Sequence, residues 1–193
     1  MLGLKLATDL RWVNIVEKDI AEILTDHAWC EQKAASTAIS LTVHYPEHLE
    51  LVIAMIDLAQ EELLHFKMVV EKLEKRGLKL GRERKDNYVN DLLGFVRKGG
   101  DRRIVLLDKL LFSAMIEARS CERFRLLAEN ISDNDLKSFY RDLMESEAGH
   151  YRLFISFARK FADKDSADKR WQEFLDFEAH VVSNYGKTAS MHG

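Results

Sequence analysis

Glu62-Leu63-Leu64-His65 and Glu147-Ala148-Gly149-His150 carry one pattern, an acid followed three residues later by an imidazole, within long helical runs. At 3.6 residues per turn, positions three apart share a face, so each pair aims a carboxylate and an imidazole at one point. Two more acids complete the reading. Glu31 lies 31 residues before Glu62 with Pro46 almost midway, and Glu117 lies 30 residues before Glu147 with Ser132 midway. A helical hairpin folded at its middle brings equidistant residues to the same height, so each hairpin presents Glu, Glu and His at one level.

The flanking stripes turn these acids inward. Met55, Leu58, Ala59, Phe66, Val69 and Leu73 share the face of Glu62, and Leu136, Phe139, Leu143, Tyr151 and Phe154 share that of Glu147. Leu24, Ala28, Ala35 and Ala38 flank Glu31; Leu110, Ala114, Cys121 and Phe124 flank Glu117. A carboxylate in an apolar interior is costly unless it is paired or binds a cation. An ion-pair network needs Arg or Lys on the same stripes, and none is there. Two divalent ions supply about +4 against the −4 of the acids. Oxygen and nitrogen donors without thiolate suit iron or manganese better than structural zinc.

The expected metal ligands are therefore Glu31, Glu62, His65, Glu117, Glu147 and His150, a set that marks ferritin-like dimetal bundles. Glu122 is an alternative to Glu117, although it sits off the stripe. His27, one turn before Glu31, reads as exposed or internally satisfied, with a place behind the ligands as the alternative. His44, His48 and His180 read as surface residues, and Cys121, Tyr140 and Tyr151 as core.

Helix breakers order the rest of the chain. A helical stretch begins near Asp9, and a first long helix carrying Asp26 to Val43 ends at Tyr45-Pro46. A second runs from about Pro46 to Arg76, with Gly77 as its cap. The connection Leu78 to Gly100 contains a short helix, Asn87 to Arg97. A third long helix runs from Asp101 to Glu129, a fourth from the Asn130–Asn134 turn to about Phe161, and a last from Ala167 to Tyr185. Short links make antiparallel neighbours, while a link of some twenty residues can travel the length of a bundle. The expected fold is all-α, a ferritin-like four-helix bundle with a long crossover between the second and third long helices and additional N- and C-terminal helices. It forms one domain over residues 1–193, with a mobile tail from about 186 to 193.

Composition agrees with this and excludes other classes. The 193 residues are 47% hydrophobic and 32% charged with one proline and nine glycines, too few turn residues for a β-sandwich and too apolar for disorder. A net charge of −3 leaves nucleic-acid binding to be argued from a local patch. Cys30 and Cys121 form no Cys-x-x-Cys pair, so free thiols in a reducing cytosol are expected. No run approaches the roughly 18 apolar residues of a membrane span, and a cytoplasmic location with no membrane partner is expected.

Three stretches carry a family resemblance: Asp26-His27-Ala28-Trp29-Cys30-Glu31-Gln32-Lys33-Ala34-Ala35, Glu61-Glu62-Leu63-Leu64-His65-Phe66 and Ile116-Glu117-Ala118-Arg119-Ser120-Cys121-Glu122-Arg123-Phe124. From about Leu10 to Tyr185 the chain resembles the MiaE-type tRNA hydroxylases. The third stretch is the most specific, because ligand spacing alone fits a bacterioferritin equally well. Gly149 departs from the Glu-Ala-Arg-His usual in the family's fourth-helix motif. The resemblance implies oxygen-dependent hydroxylation of the isopentenyl group of 2-methylthio-N6-isopentenyladenosine beside the anticodon of tRNA. It further implies two iron ions, O2 as co-substrate, and an external electron donor, an electron-transfer protein or reductase. No catalytic residue beyond the metal ligands is required.

A prenyl tail splayed from an anticodon loop needs an apolar channel, and the phosphates around it need basic side chains. Candidates are Lys79, Arg82, Arg84 and Lys85 on the crossover, Lys98, Arg102 and Arg103 at its end, and Arg119 and Arg123 on the third long helix. The competing class is a ferritin- or bacterioferritin-like ferroxidase and iron store, which requires a cage; no cage is expected here. A peroxide-reducing bundle of the rubrerythrin kind usually brings a Cys-x-x-Cys module, which is absent.

Overall fold

Among the described residues, five of the seven helices begin behind an aspartate, whose carboxylate accepts from backbone amides left over in the first turn. The computed structural model describes residues 2–185 and 187–192. Among these, all regular structure is helical: α1 Arg11–Lys18, α2 Ile20–His44, α3 Leu49–Lys75, α4 Asn87–Leu93, α5 Arg102–Asn130, α6 Asn134–Phe161 and α7 Lys164–Val182. None of these helices is long and apolar enough to cross a membrane.

The chain divides into two compact units. One is Lys18–Lys85 with Ala189–Met191, and the other is Met1–Glu17 with Asp86–Thr188 and His192–Gly193. In the first unit α2 and α3 form an antiparallel hairpin. Its turn is longer than the sequence suggests: the Tyr45 amide donates to Leu41 and the His48 amide to Tyr45, so Pro46 lies in the turn and α3 starts at Leu49. At the far end of α3, Gly77 adopts φ +67, and the Leu78 and Gly77 amides close on the carbonyls of Leu73 and Glu74. A side chain at Gly77 would be strained there, so glycine stops the helix.

In the second unit α5 and α6 form the other hairpin, with α7 packed on both and α4 against α5 and α7. Helix α5 is buried on nearly every side, from Leu106 to Ala128. Helix α4 stops at Leu93, short of the expected Arg97, because the Arg97 amide turns away to donate to the Asp108 carboxylate at 2.9 Å. Helix α7 starts at Lys164, three residues earlier than the hydrophobic pattern shows, under the Asp163 cap.

Of the tail expected to be mobile, Gly186 and Gly193 lie outside the described residues, and the segment between them is docked. The Met191 amide donates to the Asp26 carboxylate in the first unit. In the second, His192 is 1% exposed, stacks on Tyr88, and bonds Asp86 and Ser120. Specific polar partners and an aromatic platform replace the freedom that a short polar tail otherwise keeps.

Candidate metal centre

Glu31 on α2 and Glu62 and His65 on α3 are all buried, and each offers an atom within 4.8 Å of the others. His65 Nδ1 lies 3.5 Å from Glu62 Oε2 and 3.9 Å from Glu31 Oε2. These separations exceed a hydrogen bond of about 3.2 Å at most. They fall below about 4.2 Å, the limit for two ligands each about 2.1 Å from one ion. No Lys or Arg of either helix is buried, so the carboxylates have no buried cation from their own hairpin. The donor set therefore fits a hard or borderline cation.

The second hairpin repeats the arrangement. Glu117 on α5 and Glu147 and His150 on α6 are buried, again with atoms within 4.8 Å of one another. His150 Nδ1 lies 3.7 Å from Glu117 Oε2 and 3.8 Å from Glu147 Oε1. Each hairpin thus assembles the Glu, Glu and His that its spacing implies.

Glu122, the alternative to Glu117, is engaged elsewhere. It accepts from the Thr8 amide and hydroxyl at 3.0 and 2.7 Å and from Arg119 at 3.0 Å. Arg119 also clasps Glu178 of α7 at 2.6 and 2.9 Å and donates to the Leu6 carbonyl, and the Tyr88 hydroxyl donates to the same Glu178 oxygen. Arg123 lies 4.8 Å over the Trp12 ring. Burial works against the Arg119 charge, but Glu178, Tyr88 and Glu122 together outweigh it and raise the pKa above the ordinary guanidinium value. Burial and the like charge of Arg119 push Arg123 down to about 10. Burial, then Glu178, carries the Tyr88 phenol well above its usual range.

This network corrects the phosphate assignment for two residues. Arg119 and Arg123 are 0% exposed, because α7 and residues 6–12 cover the face of α5 that carries them. Neither can reach a solvent-borne phosphate. Lys79, Arg82, Arg84, Lys85, Lys98, Arg102 and Arg103 are exposed, and Arg84 pairs with Glu22.

Sequence reasoning undervalued one residue. His27 is fully buried, with Nε2 2.5 Å from Glu31 Oε1, so it is not exposed but stands behind the Glu31 carboxylate. The signal was present in the i, i+4 spacing, but an imidazole one turn from an acid is common on exposed helices too. Glu61, outside the triad, comes within 3.8 Å of His65 Nε2. The matching positions of the other hairpin, four before Glu117 and four before His150, are Ser113 and Ser146. Cys121 is buried with its thiol pushed up to about 11, first by burial and then by Glu117, and it behaves as core. Tyr140 packs its ring 5.3 Å from Phe124.

The chain matches a family model described as tRNA-(MS[2]IO[6]A)-hydroxylase (MiaE) over residues 2–193. It is 39% identical to the tRNA 2-(methylsulfanyl)-N(6)-isopentenyladenosine(37) hydroxylase of Pseudomonas putida over 153 residues, 79% of this chain and 73% of that protein. It is 29% identical to the protein of the same name from Salmonella typhimurium, covering 88% of this chain and 79% of that one. Among solved structures it resembles a Synechococcus protein described as having aldehyde deformylating oxygenase activity, with TM-score 0.92 and 33% identity over 98% of this chain and 95% of the other.

Proposed function

The chain belongs to the MiaE family and is a tRNA hydroxylase, and we propose that its two Glu-Glu-His triads together hold the pair of iron ions on which that reaction depends. The substrate is the isopentenyl group of 2-methylthio-N6-isopentenyladenosine in tRNA, and the balanced change is R–H plus O2, two electrons and two protons giving R–OH and water. What supports the reading is the match over residues 2–193 together with two buried triads of one chemistry, one per hairpin. The all-helical, ferritin-like order of two hairpins with a long crossover fits an oxygen-using enzyme. Iron bound there would supply the activation of O2, with electrons from an external donor.

The side chains have separable tasks. Glu31, Glu62, Glu117 and Glu147 would provide anionic oxygens able to change their mode of attachment, and His65 and His150 would each fix one ion through Nδ1. His27 orients the Glu31 carboxylate through its short contact at 2.5 Å. The apolar stripes around the triads exclude water, which limits side reactions at an oxidising site. For tRNA, the exposed Lys79, Arg82, Arg84, Lys85, Arg102 and Arg103 are the proposed phosphate contacts, with the modified base presented from the anticodon loop. A cytoplasmic location follows from that substrate. Family membership favours hydroxylation over iron storage.

The deciding experiment incubates iron-loaded protein with prenylated, methylthiolated tRNA, O2 and dithionite, and reads the nucleosides by mass spectrometry. The expected product carries one added oxygen atom. Oxidation of ferrous iron with no modified nucleoside would overturn the reading in favour of a ferroxidase.

A further inference from the structure

Helices α3 and α6 carry the same Glu-x-x-His motif yet turn opposite kinds of surface to solvent. The outer face of α6 is charged, with Arg141, Asp142, Glu145, Arg152, Arg159 and Lys160 exposed. The outer face of α3 is largely apolar: Leu49, Ile53, Ile56, Leu63 and Leu64 are 46–71% exposed, with Gln60 a polar residue among them. At 100° per residue these five fall within about 60° of one line, opposite the buried stripe of Leu58, Glu62, His65 and Val69. The line runs from residue 49 to 64, about 22 Å at 1.5 Å per residue. Val43, 71% exposed beside the turn, extends the apolar surface onto α2. A helix apolar on both sides is normally covered on both, and contiguous exposed aliphatic surface of this kind marks a binding site.

Charge narrows the occupant. Residues 34–66 contain no Lys or Arg, while Glu47, Glu50, Asp57 and Glu61 edge the apolar line. An RNA backbone is repelled by such a rim. A second copy docked face to face would set these acids against their own copies, with no Lys or Arg in this segment. A partner with an apolar centre inside a ring of Lys and Arg matches both features. The place on the helix supplies the purpose, since Leu63 and Leu64 lie on the outer side of the turn whose inner side bears Glu62 and His65, one helix width of about 10 Å away.

We propose that this acid-rimmed apolar face of α3, with Val43, is the docking surface for an electron-transfer protein whose flavin or iron–sulfur cofactor edge is ringed by basic side chains. That partner, oxidised by two electrons per turnover, supplies the two electrons of the hydroxylation. The inference rests on the hydroxylase reading for its purpose, but the surface and its charge stand apart from it.

The test titrates the metal-free full-length chain with cytochrome c, whose apolar haem edge is ringed by lysines, and follows binding by calorimetry. A one-to-one complex is expected, weakening at least tenfold when salt rises from about 20 to about 200 mM. Leu49→Ser with Ile53→Ser is expected to weaken it at least tenfold with an unchanged thermal melt, and Glu50→Lys with Asp57→Lys to abolish it. Absence of a complex, or one indifferent to the serine pair, overturns the proposal. So does a concentration-dependent dimer that the serine pair dissolves, which assigns the face to a second copy, or a parallel loss of tRNA affinity, which assigns it to RNA. Dithionite-driven hydroxylation is expected to stay at wild-type level in all these variants. Its absence in the wild type would count against the hydroxylase reading and leave the docking result standing.

Discussion

The α2/α3 and α5/α6 hairpins each bring two glutamates and a histidine together, but they hold them by different means. In α2/α3 the acid on the first helix leans on His27, and the imidazole has Glu61 within 3.8 Å. In α5/α6 serines stand at both corresponding positions. The contrast reverses one helical face away. Helix α5 is locked by Arg119, Glu122 and Arg123 to Thr8, Trp12 and Glu178, whereas the charged pairs of α2 and α3 outside the triad, such as Lys33 with Glu83 at 3.0 Å, lie at the surface. One hairpin is braced at its ligands and the other through its scaffold. Identical ligand spacing therefore does not imply equivalent sites, because the groups behind a ligand set its orientation and basicity.

The largest effect should come from removing what the hairpins share. Glu62→Ala and Glu147→Ala are each expected to take bound iron from two to about one or fewer per chain. Hydroxylated nucleoside should fall below detection, with metal analysis and mass spectrometry as the readouts. If one variant kept both ions, the two triads would not be partners in one centre.

Next in size is the scaffold difference. Arg119→Met leaves Glu178 and Glu122 without their buried cation and is expected to cost about 3–5 kcal/mol in urea unfolding. Lys33→Met, which breaks the exposed pair with Glu83 and a hydrogen bond to the Arg84 carbonyl, should cost less than about 1 kcal/mol. Equal losses would erase the distinction between a braced and an unbraced hairpin.

The difference behind the ligands is smaller in free energy and more telling. His27→Ala is expected to weaken iron binding by about 10–100-fold at one of the two sites, measured by chelator competition. Ser113→Ala should leave both affinities near wild type, since the buried Ser113 hydroxyl makes no hydrogen bond.

The least effect concerns acid. Burial pushes the Asp108 carboxyl up, but hydrogen bonds from Arg97 and Arg170 outweigh it and hold the pKa below the usual carboxylate value. As pH falls, the unfolded chain takes up this proton first. The stabilisation is present above the unfolded pKa of about 3.9 and is lost as the pH drops through the lower folded value. Asp108→Asn should therefore lie below wild type in urea midpoint at pH 7, with the gap narrowing as the pH falls below 4. A gap constant with pH would mean that the pair contributes no charge-dependent stability.

The triads were legible because helical geometry converts spacing into direction: three residues set a shared face, and thirty set a shared height across a hairpin. Turn chemistry was legible at Gly77 and at the Asn130–Asn134 turn for the same local reason. Pro46 and the start of α7 were misplaced by a few residues, since hydrophobic period marks the buried part of a helix and not its capped end. His27 carried a pattern too common to assign. Arg119 and Arg123 read as surface charge, because a guanidinium is buried only when acids come to it, and Glu178 comes from 59 residues away.

From its own residues, then, the chain determines helices, hairpin pairing and inward acids, since each depends on neighbours a few turns away in a periodic object. Long-range packing alone decided which second face of α5 would be covered, that His192 would dock on Tyr88, and that the outer side of α3 would stay apolar and bare. Burial belongs to the folded surface as a whole, and no local period encodes which partner from afar will cover a given face.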